Sequence, residues 1–129
     1  MKIISPNDCG NAPKKKVLNE LIIAMAGRNI EEVLPVLAED VSWQVAGGRL
    51  LAGKEETAEF VSAFPAIAEL EILTIITHGK TAAANGRILT EKGVLHEFCH
   101  VFLFVSAGKH TIREITTYGS FRQDGNPAS

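Results

Sequence analysis

Five consecutive residues, His96-Glu97-Phe98-Cys99-His100, fit H-E-x-x-H. This is the spacing with which two histidines on one helical face hold zinc while the glutamate acts on the metal-bound water. The chemistry requires a helix, because only there do side chains four apart come within about 6 Å of each other. In a strand the two histidines would share a face but stand about 13 Å apart, and the glutamate would point the other way. The segment GVLHEFCHVFLFV, residues 93–105, is rich in valine and phenylalanine and has neither alanine nor a helix cap, so it reads as a strand. No zinc site is expected from it, and no metal or organic cofactor is expected elsewhere.

Two other residues could carry proton transfer. Glu97 is the one charge on a strand face otherwise made of Leu95, Cys99, Val101, Leu103 and Val105. If that face lines a pocket, Glu97 is a candidate general acid or base. If it pairs with Arg87 or Arg113, or is solvated at a strand end, it is structural. Tyr118, the single tyrosine, alternates with Glu114 and Ser120 on the last expected strand. It could donate a hydrogen bond to a ligand oxygen or be a buried tyrosine satisfied by backbone. The candidate catalytic pair is therefore Glu97 and Tyr118. The candidate ligand contacts are Trp43, Phe60, Phe64, Cys99, Glu114 and Ser120. Trp43, Phe60 and Phe64 fit either an aromatic pocket wall or ordinary core, and Cys99 reads most simply as a small buried hydrophobe.

The elements that must position these residues follow from periodicity. Apolar residues at Val17, Leu18, Leu21, Ile22 and Met25 predict a helix over residues 13–26, with Asn11 as a candidate cap, Pro13 in its first turn and Gly27 at its stop. Asn29 and Glu32 form a capping-box-like pair opening a second helix that runs toward Leu37, with Pro35 kinking or shortening it. Residues 41–45 alternate as a strand, and residues 54–64 return to helical spacing. Four further strands are expected near 70–78, 80–90, 94–106 and 109–121, with turns at His78-Gly79, Lys92-Gly93 and Gly108. The order predicts an α+β domain, three N-terminal helices packed on one face of a curved, mainly antiparallel sheet.

The 129 residues read as one domain, with a core over about 11–121 and frayed ends. The composition is 46% hydrophobic and 22% charged, as in globular domains. A net charge of -2 provides no field for nucleic acid or anionic lipid, so neither is an expected partner. The run Lys14-Lys15-Lys16 reads as a solvated helix face. MKIISPNDCG lacks the apolar run of a secretory signal, no stretch approaches the roughly 20 apolar residues that span a bilayer, and two cysteines make no disulfide framework. A cytoplasmic protein is the expectation. Both faces of the 94–105 strand are mostly apolar, so a second subunit is expected to cover whichever face the helices do not. The phenylalanine face (Phe98, Phe102, Phe104) is the expected interface of a homodimer.

Several strings resemble the NTF2-like superfamily, in particular its SnoaL-like, polyketide-cyclase-like branch. LAEDVSWQVAGG is similar to a helix end and first strand, LAGKEETAEFVSAF to the glycine-led third helix, and HGKTAAANGRILTEKGVLHEF with SAGKHTIREITTYGSF to the paired and closing strands. The resemblance implies a cone-shaped fold with an apolar pocket for a small hydrophobic organic ligand, commonly in a dimer. The superfamily includes ketosteroid isomerases, limonene epoxide hydrolases, polyketide cyclases and non-catalytic binding proteins. The chain departs from each catalytic pattern. The isomerase-like aspartate falls near Val45, the Arg-x-Asp pair near Gly86 and Ile88 (or Arg87 and Leu89), and the cyclase-like acid at Ser120. The expectation is a pocket-bearing protein, an isomerase or cyclase working by proton transfer if it is an enzyme, with a non-catalytic dimer whose cone is filled by its own side chains as the alternative.

Overall fold

The computed structural model describes residues 1–6 and 12–119. Its elements are β1 (Lys2–Ile4), α1 (Pro13–Ala26), α2 (Ile30–Val33), a 3-10 turn (Leu34–Val36), β2 (Leu37–Val45), β3 (Leu50–Ala52), α3 (Gly53–Ser62), β4 (Ile67–His78), β5 (Thr81–Thr90), β6 (Leu95–Phe104) and β7 (Ile112–Gly119). The seven strands form one sheet in the order β1-β4-β5-β6-β7-β2-β3. Four pairings are antiparallel, while β1 with β4 and β2 with β7 are parallel. The helices lie on one face, giving the expected α+β architecture. No helix among the described residues is long and apolar enough to cross a membrane.

Several local expectations are corrected. Residues 37–40 are strand, not helix end, because Pro35 limits α2 to four residues and a 3-10 turn before the chain extends. Asn29 does not cap α2 with its side chain; its carbonyl accepts from the amides of Glu32 and Val33, both at 3.1 Å. α1 does stop at Gly27, as expected, and the left-handed residue is the next one, Arg28, φ 57°. Residues 2–4, expected to fray, are a strand edge on β4. Asn11, proposed as a cap, lies outside the described residues. Lys14 is not simply solvated: its Nζ donates to the carbonyls of Gly79 (2.6 Å) and Ala107 (2.5 Å) and sits 4.8 Å from the centre of the Phe104 ring. The start of α1 is thereby tied to two hairpin turns, the one after β4 and the one after β6.

The inner face of the sheet is packed by matching large side chains on β6 to small ones on β5. In register, Phe98 faces Gly86, His100 faces Ala84 and Phe102 faces Ala82. Phe98, Phe102 and Phe104 are 5%, 0% and 1% exposed in the single chain. The phenylalanine face is therefore core, and a dimer interface on it is overturned: the rings are already covered by the chain's own helices.

The match is closest at Gly86. A Cβ there would stand 2.1 Å from the Glu71 carbonyl oxygen and 2.8 Å from Phe98 Cζ, and β4 bulges beside it between Ile72 and Thr74. Bulge and glycine together let the sheet bend around the aromatic core. Gly86→Ala is expected to lower stability by at least about 3 kcal/mol or to prevent folding, since backbone cannot yield as a side-chain tip does. Gly79→Ala, at φ 59° with open space around it, should cost only about 1 kcal/mol. Urea denaturation of the two variants measures the contrast, and equal losses would contradict the close-approach explanation.

Candidate functional site

Strand β6 decides what HEFCH is. Residues 95–104 are extended, so His96 and His100 point inward with Phe98 between them, and Glu97 points out. No group of three or more His, Cys, Asp or Glu residues is placed to hold a metal among the described residues.

The inward histidines instead line a cavity in the cone. Its walls are Ile22, Met25 and Ala26 of α1, Trp43 and Val45 of β2, Phe60 of α3 with Phe64 just beyond it, Leu70 and Ile88 of the sheet, His96, Phe98 and His100 of β6, and Thr117 of β7. The cavity holds about 30 Å³, room for one or two waters and far below the roughly 300 Å³ of a ligand pocket. Three aromatic rings of its wall pack against one another as a stopper. Trp43 meets Phe60 edge-on at 5.2 Å and Phe64 at 6.4 Å, and Phe60 meets Phe64 at 5.3 Å.

One polar network sits in this apolar space. Trp43 Nε1 donates to Thr117 Oγ1 at 2.7 Å, and Thr117 Oγ1 lies 2.7 Å from His100 Nδ1. An indole N–H can only donate, so Thr117 accepts from Trp43, while the direction of its hydrogen bond with His100 Nδ1 is set by the imidazole tautomer. The ring is stacked on Phe98 at 4.8 Å and met edge-on by Trp43 at 6.3 Å. Burial lowers the His100 pKa from 6.5 to about 4, because an imidazolium here would lose its hydration with no carboxylate in the lining to replace it. His100 is thus neutral at pH 7, a weak base and a competent hydrogen-bond donor.

The sequence-expected site residues divide between two faces. Trp43, Phe60 and Phe64 are together in the cone wall. Glu97, Cys99 and Tyr118 are together on the opposite, outer face, in an open groove of about 520 Å³ that also includes Thr74, Ile76 and Asn85. Glu97 is exposed and stands across from Arg87, whose guanidinium is 3.2 Å from Glu71. Tyr118 is half exposed, and Glu114 is exposed farther along the outer face. Ser120 lies outside the described residues. Sequence reasoning missed His100 and Thr117. The available signal was two histidines on the inward alternation of an aromatic strand, a position where a polar ring needs a partner.

The depressed His100 pKa makes stability pH-dependent. Between about pH 4 and 6.5 the unfolded chain binds a proton at this residue that the folded chain does not, so stability rises with pH across that window. Lowering the pH from 7 to 4.5 is expected to remove about 2 to 3 kcal/mol through His100. The same titration of His100→Gln by urea unfolding should lack that share; identical pH profiles would refute the assignment.

Comparison with known proteins agrees with this architecture. No curated protein matches the chain on sequence. An NTF2-like protein of unknown function from Burkholderia xenovorans LB400 superposes with a TM-score of 0.72 at 17% identity, covering 84% of each chain. Another, from Burkholderia pseudomallei K96243, gives 0.67 at 23% identity, covering 88% of this chain and 93% of that one. The structure of TerC co-crystallised with polyporic acid gives 0.66 at 17% identity, covering 83% and 91%. The profile of the SnoaL-like domain matches residues 18–113, from within α1 to the start of β7, and the chain accordingly belongs to the SnoaL-like family within the NTF2-like fold.

Proposed function

We propose that this protein binds a small, largely apolar organic molecule inside the cone, with Phe60 and Phe64 as a wall that moves to admit it. The observation that carries this reading is the buried imidazole of His100 held at the edge of an apolar cavity, an expensive feature for a core that only needs filling. The resemblance to TerC, crystallised with polyporic acid, supports a fold able to accept such a guest. The resting cavity is too small, so entry depends on the aromatic stopper. Both rings are only partly buried, and rotamer changes of such side chains are fast. The cavity lining contains no carboxylate; a proton-transfer role for Glu97 and Tyr118 would need a ligand in the outer groove instead.

Trp43, the single tryptophan, reports directly on the cone. Titration with 2-naphthol, followed by the Trp43 indole cross-peak in nuclear magnetic resonance, is expected to show a saturable one-to-one shift. Phe60→Ala should bind several-fold tighter while losing roughly 2 to 3 kcal/mol of stability. If the peak moves in neither protein up to the solubility limit, the cone is a filled core.

The alternative, a non-catalytic dimeric module, is favoured by the 30 Å³ volume itself. The outer face fits a subunit contact in either case. Two adjacent rows across β4 to β7 carry no charge: Thr74, Asn85, Cys99 and Tyr118, then Ile76, Ala83, Val101 and Thr116. Ile76, Val101 and Tyr118 are 58%, 40% and 50% exposed there, the uncharged, aromatic-containing composition of an interface core. Sedimentation is expected to show a dimer that Val101→Lys converts to monomer without loss of the folded spectrum. A monomeric parent protein would exclude the dimer.

A further inference from the structure

We infer that the aromatic wall of the cone is an acid-sensitive gate: uptake of a proton by His100 drives Phe60 and Phe64 out of their packing and lets water into the cavity while the sheet stays folded. The inference needs no guest and goes beyond the binding reading above.

The closed cone offers an imidazolium no counter-charge. Among the described residues, the cavity lining supplied by α1, β2, α3, β4, β5 and β7 has no Lys, Arg, Asp or Glu, and its other titratable group is His96, on β6 itself beyond Phe98. Arg28 touches the stopper from outside, its Nη1 donating to the Phe64 carbonyl at 3.5 Å, and a cation there cannot balance a second one. Whichever tautomer the neutral ring adopts, the charged ring donates from both nitrogens. Thr117 Oγ1 would then accept from His100 Nδ1 and Trp43 Nε1 together, and its own proton could no longer go to the imidazole. The closed cavity of about 30 Å³ has room for one or two waters, too few to hydrate an ion.

Water has one yielding way in. Of the residues that line the cavity, all but Phe60, Phe64 and Ile88 are buried. Ile88 is held in the ladder on both sides, by Leu70 of β4 and His96 of β6. Phe60 is in the last turn of α3, Phe64 lies past its end, and both rings meet Trp43 edge-on. Swinging those two side chains leaves intact the strand pairing that fixes His100 between Ala84 and Thr117. A ring hydrated in the open cone titrates near the ordinary 6.5, whereas burial holds it near 4 in the closed one. Opening is therefore promoted as pH falls through that interval and suppressed above it.

The test follows hydrogen exchange of the Trp43 indole N–H, bonded to Thr117 inside the cone, in the full chain between pH 7 and pH 5. Each rate is divided by the intrinsic exchange rate at that pH to give an opening constant. The parent protein is expected to show an indole opening constant above that of the slowest amides of β5 and β6, rising about twentyfold from pH 7 to pH 5. His100→Gln, which takes up no proton, should show no rise. In Phe60→Ala water reaches the ring without displacing that side chain, so the His100 imidazole, followed by nuclear magnetic resonance, should titrate roughly one pH unit higher than in the parent. That measurement also covers the case in which His100→Gln does not fold. An opening constant flat with pH, a rise kept in His100→Gln, an indole that opens no more often than the slowest amides, or the same His100 titration in Phe60→Ala and the parent would each overturn the gate.

Discussion

The close approach of β4 and β5 at Gly86 governs much of the remaining architecture. The position a Cβ would take is occupied by the Glu71 carbonyl oxygen, with Phe98 pressed against the same spot. An untwisted sheet of seven strands would present a flat face, and three short helices could not enclose anything against it. The bulge after Ile72 and the missing side chain at residue 86 let the long strands curl. The inside of that curl is then narrow enough for α1 and α3 to cover. The small-against-large pairing of β5 with β6 follows from the same constraint, since a bulky residue on both strands would force them flat.

Within the curl, one hydroxyl carries an unusual share of the polar bookkeeping. Thr117 satisfies the indole of Trp43 and the imidazole of His100, joining β2, β7 and β6 through a single oxygen. Buried polar groups confined to such a chain are conformationally particular: a shift of one strand breaks two bonds at once. The aromatic stopper is held differently. Phe60 and Phe64 meet Trp43 through ring edges, contacts that tolerate rotation. The cone thus combines a rigid floor with a compliant mouth.

The layered α+β order was legible in the sequence because it rests on period. The spacing of Leu18, Leu21, Ile22 and Met25 in α1 and the two-residue alternation of β6 survive any tertiary context. The strand identity of HEFCH followed from the same alternation. The short strands β1 and β3 were not legible, since three residues carry no period and their pairing is supplied by β4 and β2. The start of β2 at Leu37 was masked by residues that continued a helical stripe until Pro35 stopped it. For the site, sequence alone identified Trp43, Phe60 and Phe64 as a set of aromatic rings. The alternation of β6 already put Glu97 with Cys99 on one face and His100 on the other; it could not say which of the two the helices would cover, or that Tyr118 would join Glu97 on the outer one. That depends on which side of the sheet the helices choose, a global decision that no local window contains.

The two rims of the sheet are β1 and β3, each three residues long. Long, flat rims are where β proteins recruit stray chains into aggregates, because unpaired amides and carbonyls invite a further strand. Here the extended ladders, β4 to β7, are all interior to the sheet. β1 pairs with Glu69, Leu70 and Glu71 of β4, and β3 with Ser42, Trp43 and Gln44 of β2, so each stub covers only part of its longer neighbour's outer edge. Among the described strands nothing pairs with β4 beyond Glu71 on that side, and the bulge between Ile72 and Thr74 begins where the cover ends, a kink that spoils the flat template from which amyloid-like growth begins.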